Sequence, residues 1–475
     1  MVEIVPAPVV AEVGEGRLHD PPVEVVLRDF TPDELRVLPT TLGRRADLGD
    51  PQGERYGLTA ADGRVEVFAP TAEGIFRGLT TLRQLDRDGV VPAVRVLDGP
   101  RFAWRGLSLD TSRRFFPPDE VRQVIELLAL YKANVLHLHL TDSEGWRIQI
   151  DAWPKLTGAD GFYTKDEYLA LVAYAAERFV TIVPEIDLPG HTGAVFEAYP
   201  ELAAEGVDGN PFLTYLHPDH PQVAGFVKDV LTELAALTPG AYLHLGGDET
   251  FGMPEELYER FMALVRPYVP ALGKQLVVWQ EATRSGALEA GDLVQYWLEF
   301  AGPLPTELPT EPITLPDGKT IEPETLVAML QVLPKSQGDI DRAMALGNDV
   351  IVSLSTKAYL DTPYAEPEAD PRLGMPFYPR QTVAEFYDWD PATVHPRLPE
   401  SSIAGVEAAL WCESVKSFAD AMHLILPRLP GIAERAWSPT GGTWETYAPR
   451  LAAQVPLWDS QNWPYFRSPS IGSID

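Results

Sequence analysis

From Phe102 onward the chain alternates between short, β-rich apolar runs and longer stretches with a 3.6-residue apolar period. No other feature limits its fold as strongly. The β-rich runs lie at 105–110, 134–140, 180–187, 241–248, 275–281, 292–297, 349–354 and 403–411. Helical stretches fall at 119–131, 165–179, 222–237, 254–269, 340–346 and 417–437, with Asp119, Asp166 and Pro254 near three of their starts. Strands that all run one way need helical crossovers, and about eight such units in succession close into a barrel. The sequence therefore predicts an α/β chain: a (β/α)8 TIM barrel preceded by a small α+β domain.

The predicted organisation is an α+β accessory domain at 1–98, a catalytic barrel at 99–440 and an extension packed on the barrel at 441–475. In the first part, strands are expected at 23–27, 55–59 and 64–68 and a helix at 72–86. Two long excursions interrupt the barrel. One, 142–163, joins the second strand to its helix. The other, 299–336, is rich in Pro, Glu and Thr and reads as a solvated insertion that touches only larger substrates.

Asp plus Glu number 69 against 38 Lys plus Arg, a formal net charge of −31. Such an excess argues against a nucleic-acid backbone or an anionic membrane as partner. With 45% hydrophobic and 23% charged residues the chain is globular, not mainly disordered. Cys412 is the only cysteine, so no internal disulfide forms and no oxidising compartment is needed. No run of about 18 apolar residues exists, and the N-terminus has no basic segment followed by an apolar one. No membrane span and no signal peptide are expected, and the expected location is cytoplasmic.

In a barrel of this kind reactive residues gather where strands end. The predicted strand ends carry Asp110 and Arg113, His139 and Asp142, Glu185, Asp187 and His191, and Asp248 and Glu249. The later ends carry Trp279 and Glu281, Trp297, Tyr359 and Asp361, and Trp411 and Glu413. The sharpest segment is HLGGDET at 244–250, an apolar strand running into two glycines and two adjacent carboxylates. A lone Asp-Glu pair is usually a solvated turn; two glycines at a barrel strand end favour a site. With Asp248 ionised in a partly dry pocket, Glu249 holds its proton to higher pH, which gives one acid and one anion. A metal centre is the competing reading. His137 and His139 alternate on one strand face, and His191, His244 and a carboxylate from Asp187 or Asp248 could join them. The chain has no HExxH, no Cys pair, no phosphate-binding glycine loop and no GxSxG.

The segments RGLSLDTSRRFFP, ANVLHLHLTDSEGWRI, VPEIDLPGHT, LHLGGDET, VVWQE, VQYW, AYLD and GVEAALWCE occur in this order. Together they resemble glycoside hydrolase family 20, the exo-β-N-acetylhexosaminidases. The resemblance covers about residues 102–438 and reaches the first domain through AEGIFRGLTTLRQL. It implies that Glu249 is the general acid/base and that Asp248 orients the 2-acetamido group of the substrate. It implies that Tyr359 binds the acetamido carbonyl and that Trp279, Trp297 and Trp411 wall the pocket. Arg113, Asp361 and Glu413 would grip the sugar hydroxyls, and His139, Asp142, Asp187 and His191 would support the acid. Two positions depart from the family's habit: Ser143 follows Asp142 where a second Asp is common, and Arg114 stands where a His is common.

Adjacent carboxylates cannot easily flank a sugar at the roughly 5–5.5 Å of an ordinary retaining pair, so the nucleophile must come from elsewhere. In the family it is the substrate's own acetamido oxygen, which closes to an oxazoline. The function expected is a retaining exo-β-N-acetylhexosaminidase acting on terminal β-linked GlcNAc, with GalNAc as the second candidate, without metal or organic cofactor. The expected partner is a carbohydrate bearing a terminal N-acetylhexosamine. The alternatives are a metal-dependent barrel hydrolase and a catalytically silent sugar-binding protein.

Overall fold

The computed structural model describes residues 2–43, 52–158, 160–203, 213–299, 310–439 and 441–471. The first strands are β1 (Val10–His19), β2 (Val23–Leu27), β3 (Tyr56–Ala61), β4 (Arg64–Ala69) and β5 (Val90–Asp98). They form one sheet in the order β1-β5-β3-β4-β2, in which only β2 and β4 pair in parallel. The helix Ala72–Leu85 packs on this sheet, and Thr71 caps it by accepting from the Gly74 N–H. β1 and β5 were not expected from the sequence.

Asp98, at the end of β5, joins this sheet to the barrel. One of its oxygens accepts from Tyr56, from Lys132 Nζ and from the Trp437 indole, at 2.7, 3.0 and 3.0 Å.

The remaining strands are β6 (Trp104–Asp110), β7 (Val135–His139), β8 (Thr141–Asp142), β9 (Gly145–Trp146), β10 (Thr181–Glu185), β11 (Tyr242–His244) and β12 (Gln275–Trp279). They continue with β13 (Leu293–Tyr296), β14 (Ile313–Thr314), β15 (Thr320–Ile321), β16 (Asp349–Val352) and β17 (Ile403–Leu410). β6, β7, β10, β11, β12, β13, β16 and β17 close into a parallel barrel, one for each β-rich run in the sequence. β8–β9 and β14–β15 are two-stranded ribbons outside it.

Alternation along each strand decides what fills the barrel. Its lower layer takes one residue from each of the eight strands: Trp104, Val135, Val183, Tyr242, Val277, Leu293, Ile351 and Ala404. Two residues further along, or three in β17, the interior turns polar, with His137, Glu185, His244, Trp279, Gln295 and Glu407, all buried. The floor is apolar and the upper half carries charge, which places chemistry at the C-terminal ends of the strands.

One expected helix is two. The stretch 417–437 divides into Phe418–Ile425 and Arg428–Trp437. Leu426 between them is extended (φ −102°, ψ 129°), because Pro427 disfavours helical geometry in the residue before it. After the barrel, helices Trp444–Ala452 and Val455–Ser460 lie against its outer surface, where the Trp458 indole donates to the Tyr131 hydroxyl at 2.6 Å. Among the described residues no helix is long and apolar enough to cross a membrane.

Candidate active site

β11 stops at His244, and the chain turns through Gly246 and Gly247 to reach Asp248 and Glu249. Gly246 has φ +66°, and a Cβ there would sit 1.7 Å from Asp187 Oδ1. Gly247 has φ +100° and donates its N–H to the same Asp187 oxygen at 3.2 Å. The glycine pair thus lets a carboxylate lie directly on the backbone. The Tyr258 hydroxyl fixes the turn by donating to Gly247 O at 2.6 Å. Glu249 has φ +44° and His191 φ +54°; for side-chain-bearing residues this left-handed backbone costs about 1–2 kcal/mol each. Packing around the site holds both residues there.

A line of charged groups runs from the barrel interior to Glu249. Glu185 Oε2 meets His139 Nδ1 at 2.5 Å, and His139 Nε2 meets Asp142 Oδ2 at 3.0 Å. Asp142 Oδ1 takes His191 Nδ1 at 3.1 Å, and His191 Nε2 faces Glu249 Oε2 at 3.7 Å and Asp248 Oδ2 at 3.9 Å. Burial favours neutral rings, yet the adjoining carboxylates outweigh it, and His139 and His191 are held protonated well above the usual imidazole range. Arg113 closes the other side, with its guanidinium 2.9 Å from Asp142, 3.1 Å from Asp110 and 3.4 Å from Glu413. Arg114 turns away and pairs with Glu120 at 2.8 Å, so of the two arginines only Arg113 enters the site.

Aromatic rings wall the space above these groups. Trp411 touches His139, Trp279 and Tyr359, with centroids 5.1, 6.0 and 5.9 Å away. Tyr359 lies parallel to Trp297 at 6° and 6.2 Å. The Trp297 indole N–H points to Glu281, 3.2 Å from Oε2. Beside Glu249 a cavity of about 350 Å³ opens, lined also by Tyr258, Glu281, Arg284 and Lys335.

The site is crowded with carboxyl groups, and their proton affinities follow from that crowding. Burial lifts Asp187, Glu281 and Glu413 to about 7. Asp248 is pushed well above the carboxylate range by burial and then by Asp187, and Glu249 is raised mainly by burial. Both carboxyls of the pair are thus raised in the free protein. Asp248 is faced by Asp187 and Glu281 as well as by Glu249. Among the described residues several buried acceptors have no hydrogen-bond partner: Asp248 Oδ1, both oxygens of Asp361 and Glu413 Oε2.

Every site residue singled out from the sequence is in this one assembly: Arg113, His139, Asp142, Asp187, His191, Asp248, Glu249, Trp279, Trp297, Tyr359, Asp361, Trp411 and Glu413. Four neighbours had been given no role. Asp110 and Glu185 stood among the predicted strand-end residues without an assigned role. Glu144 and Tyr378 carry no local signal. Glu144 Oε2 lies 3.5 Å from Arg113 Nε. Tyr378 sets its edge on Tyr359 at 6.1 Å and 85°, in the field of Asp361 and Glu249.

The histidines that suggested a metal centre are engaged otherwise. His137, His244 and Glu185 have atoms within 4.8 Å of one another. However, His137 Nδ1 hydrogen-bonds Glu407 at 2.9 Å, and its Nε2 lies 3.1 Å from a Glu185 oxygen. Against burial, these carboxylates raise it to about 9. A proton-bearing ring is a poor metal ligand. His244 is kept neutral by burial and accepts the Gly246 N–H at 2.9 Å.

The sequence profile of glycosyl hydrolase family 20, catalytic domain, matches residues 102–254 and 314–440. The chain is 36% identical to a β-N-acetylhexosaminidase of Cellulomonas fimi, over 99% of this chain and 90% of that one. It also superposes on the family 20 β-N-acetylhexosaminidase of Streptomyces coelicolor A3(2), with 34% identity, TM-score 0.81 and 98% of each chain covered. A mutant Streptomyces plicatus β-hexosaminidase in complex with its product GlcNAc is 35% identical, with TM-score 0.82 over 99% of this chain and 97% of that one. By its sequence, its barrel and its assembled strand-end residues, the chain belongs to glycosyl hydrolase family 20 and is a glycoside hydrolase.

Proposed function

We propose that the protein is a retaining exo-β-N-acetylhexosaminidase that removes terminal β-linked GlcNAc, and GalNAc as a second substrate, through an oxazoline. The observation that carries the reading is the set of unpartnered buried acceptors on Asp248, Asp361 and Glu413, ringed by Trp279, Trp297, Trp411 and Tyr359. Burying polar atoms without partners is costly unless a ligand supplies them. The matching ligand brings several O–H donors, at least one N–H donor and apolar faces, which describes an N-acetylated sugar.

Arg113, Asp361 and Glu413 take the ring hydroxyls. The tryptophans hold the acetamido group beneath the ring, with the Tyr359 hydroxyl donating to its carbonyl and Asp248 accepting its N–H. As the acetamido oxygen forms a bond to C1, the glycosidic bond breaks and Glu249 gives its proton to the departing oxygen. The nitrogen gains positive charge in this step, and Asp248 is the group that gains most by being ionised there. Its elevated proton affinity in the free protein is therefore offset by the substrate itself. Glu249 then takes a proton from water as that water adds to C1, the oxazoline opens and the configuration is retained. His191, linked through Asp142 to His139, keeps a positive charge beside Glu249 and favours the carboxylate that each proton donation leaves.

The test is hydrolysis of an aryl β-GlcNAc glycoside followed by NMR. The β-anomer should appear first, and the corresponding aryl β-glucoside, which has no internal nucleophile, should be nearly inert. Efficient glucoside cleavage or an α-anomer as first product would overturn the mechanism. Loss of turnover on dialysis against a chelator, restored by a divalent ion, would favour a metal-dependent hydrolase. Binding without turnover would favour a silent sugar-binding protein.

A further inference from the structure

We propose that Lys319, in the insertion that follows β13, is a positioning residue for the sugar grip: it pairs with Glu144 and holds that carboxylate toward Arg113. The inference rests on the reading of Arg113 as the residue that takes sugar hydroxyls. The sequence suggested a solvated insertion that touches only larger substrates, but its described part is folded onto the site. β14 and β15 form a ribbon, and Pro323–Val332 is helical. Leu315, Ile321 and Leu326 bury an apolar cluster with Met375. The Met375 N–H donates to Asp361 O at 2.8 Å, and the Tyr378 N–H to Met375 O at 3.2 Å. The apolar side of the insertion therefore packs against the segment that carries Asp361 and Tyr378.

Its polar side reaches the opposite member of the grip. Lys319 Nζ makes an ion pair with Glu144 Oε1, and Glu144 Oε2 faces Arg113 Nε at 3.5 Å. Arg113 stands among four carboxylates, Asp110, Asp142, Glu144 and Glu413. Asp142 is also met by the protonated His139 and His191, which leaves Arg113 to serve Asp110, Glu413 and Glu144. Lys319 supplies a second cation at Glu144, whose 3.5 Å contact with Arg113 is the longest of the four. Burial and Asp142 push the Glu144 carboxyl toward its neutral form, while Arg113 and Lys319 oppose this. Without Lys319 the carboxylate takes up a proton or turns outward, and Arg113 loses one of the four contacts that aim it.

The experiment measures kcat and KM of the full chain on an aryl β-GlcNAc glycoside, with thermal midpoints recorded alongside. Lys319→Ala should raise KM by about 3- to 10-fold and keep kcat within about twofold, the size expected for one part-exposed charged contact. Lys319→Arg should restore KM. On a Glu144→Gln background Lys319→Ala should add nothing, because its partner is already gone. An unchanged KM in Lys319→Ala overturns the inference. So do independent, additive effects of the two substitutions, or a joint loss of kcat, KM and thermal midpoint that Arg does not rescue. Absence of wild-type turnover, or an Arg113→Ala variant with unchanged KM, overturns the functional reading itself and this inference with it.

Discussion

Trp279 donates its indole N–H to Glu185 Oε1 at 2.8 Å, and the other oxygen of that carboxylate meets His139 at 2.5 Å. One buried side chain at the end of β10 thus fixes both an aromatic wall of the pocket and the histidine that starts the charged line to Glu249. The position of the acid and the shape of the pocket are consequently not independent. The rotamer of Trp279 and the proton on His139 are set by the same anion.

That anion should matter for stability as well as activity. Glu185→Gln takes from the protonated His137 and His139 the carboxylate they share, leaving them Glu407 and Asp142, and should cost about 3 kcal/mol, read by denaturant unfolding. A loss under about 1 kcal/mol would mean that the cluster is not held by charge.

The pH dependence follows from signs. Glu185, with neighbouring histidines outweighing burial, is held well below 4.5 in the fold, so its contribution is present above 4.5 and is lost as pH falls toward its folded value. His137, raised to about 9, contributes fully below 6.5 and loses that contribution as pH rises through about 9. The thermal midpoint should be highest near pH 4.5, where Glu185 is ionised while Asp187, Glu281 and Glu413 are still largely protonated, and should decline toward about 9. The decline should be weaker in Glu185→Gln. A midpoint that keeps rising to alkaline pH would contradict the assignment.

Glu249→Gln should abolish most turnover of glycosides with alkoxide leaving groups and spare activated aryl glycosides more. Because burial raises the Glu249 carboxyl, the falling limb of kcat/KM with pH should lie above the ordinary value of 4.5. That limb should disappear in the variant. Equal losses on both substrate types would remove Glu249 from the role of acid.

Asp248→Asn keeps the shape of the side chain and removes its charge. The rate should fall roughly 10²- to 10³-fold, comparable to losing one preorganised electrostatic contact. Substrate binding should change far less, since the contact strengthens in the transition state. A covalent glycosyl adduct on Asp248, sought by mass spectrometry, would replace the proposed route by one with a protein nucleophile.

Arg113→Ala removes a charge-assisted grip worth about 1.5–3 kcal/mol per hydrogen bond, so KM should rise by at least about tenfold. Arg114→Ala should leave KM near its original value, because Arg114 pairs with Glu120 outside the site. Similar KM effects in both variants would place the sugar elsewhere.

The sequence by itself determined the eight barrel strands, the loops that carry the chemistry and the residues that meet there. The reason is local. Alternation with period two or 3.6 follows from backbone geometry, and a parallel barrel delivers its strand ends to one face. The Asp-Glu pair, the tryptophans and the arginine were legible because each lies at such an end. What tertiary structure decided is the set of quantities summed over neighbours distant in the chain. The pair of Lys319 with Glu144 joins residues 175 positions apart, and the contact of Trp104 with Glu407 joins residues 303 apart. No local pattern announces either. The proton affinity of Asp248 depends on burial and on Asp187 and Glu281 from separate strand ends as well as on its neighbour Glu249, a sum that no local pattern displays. The insertion looked solvated because its Pro, Glu and Thr are polar. Its few apolar residues find Met375 only once the barrel has closed.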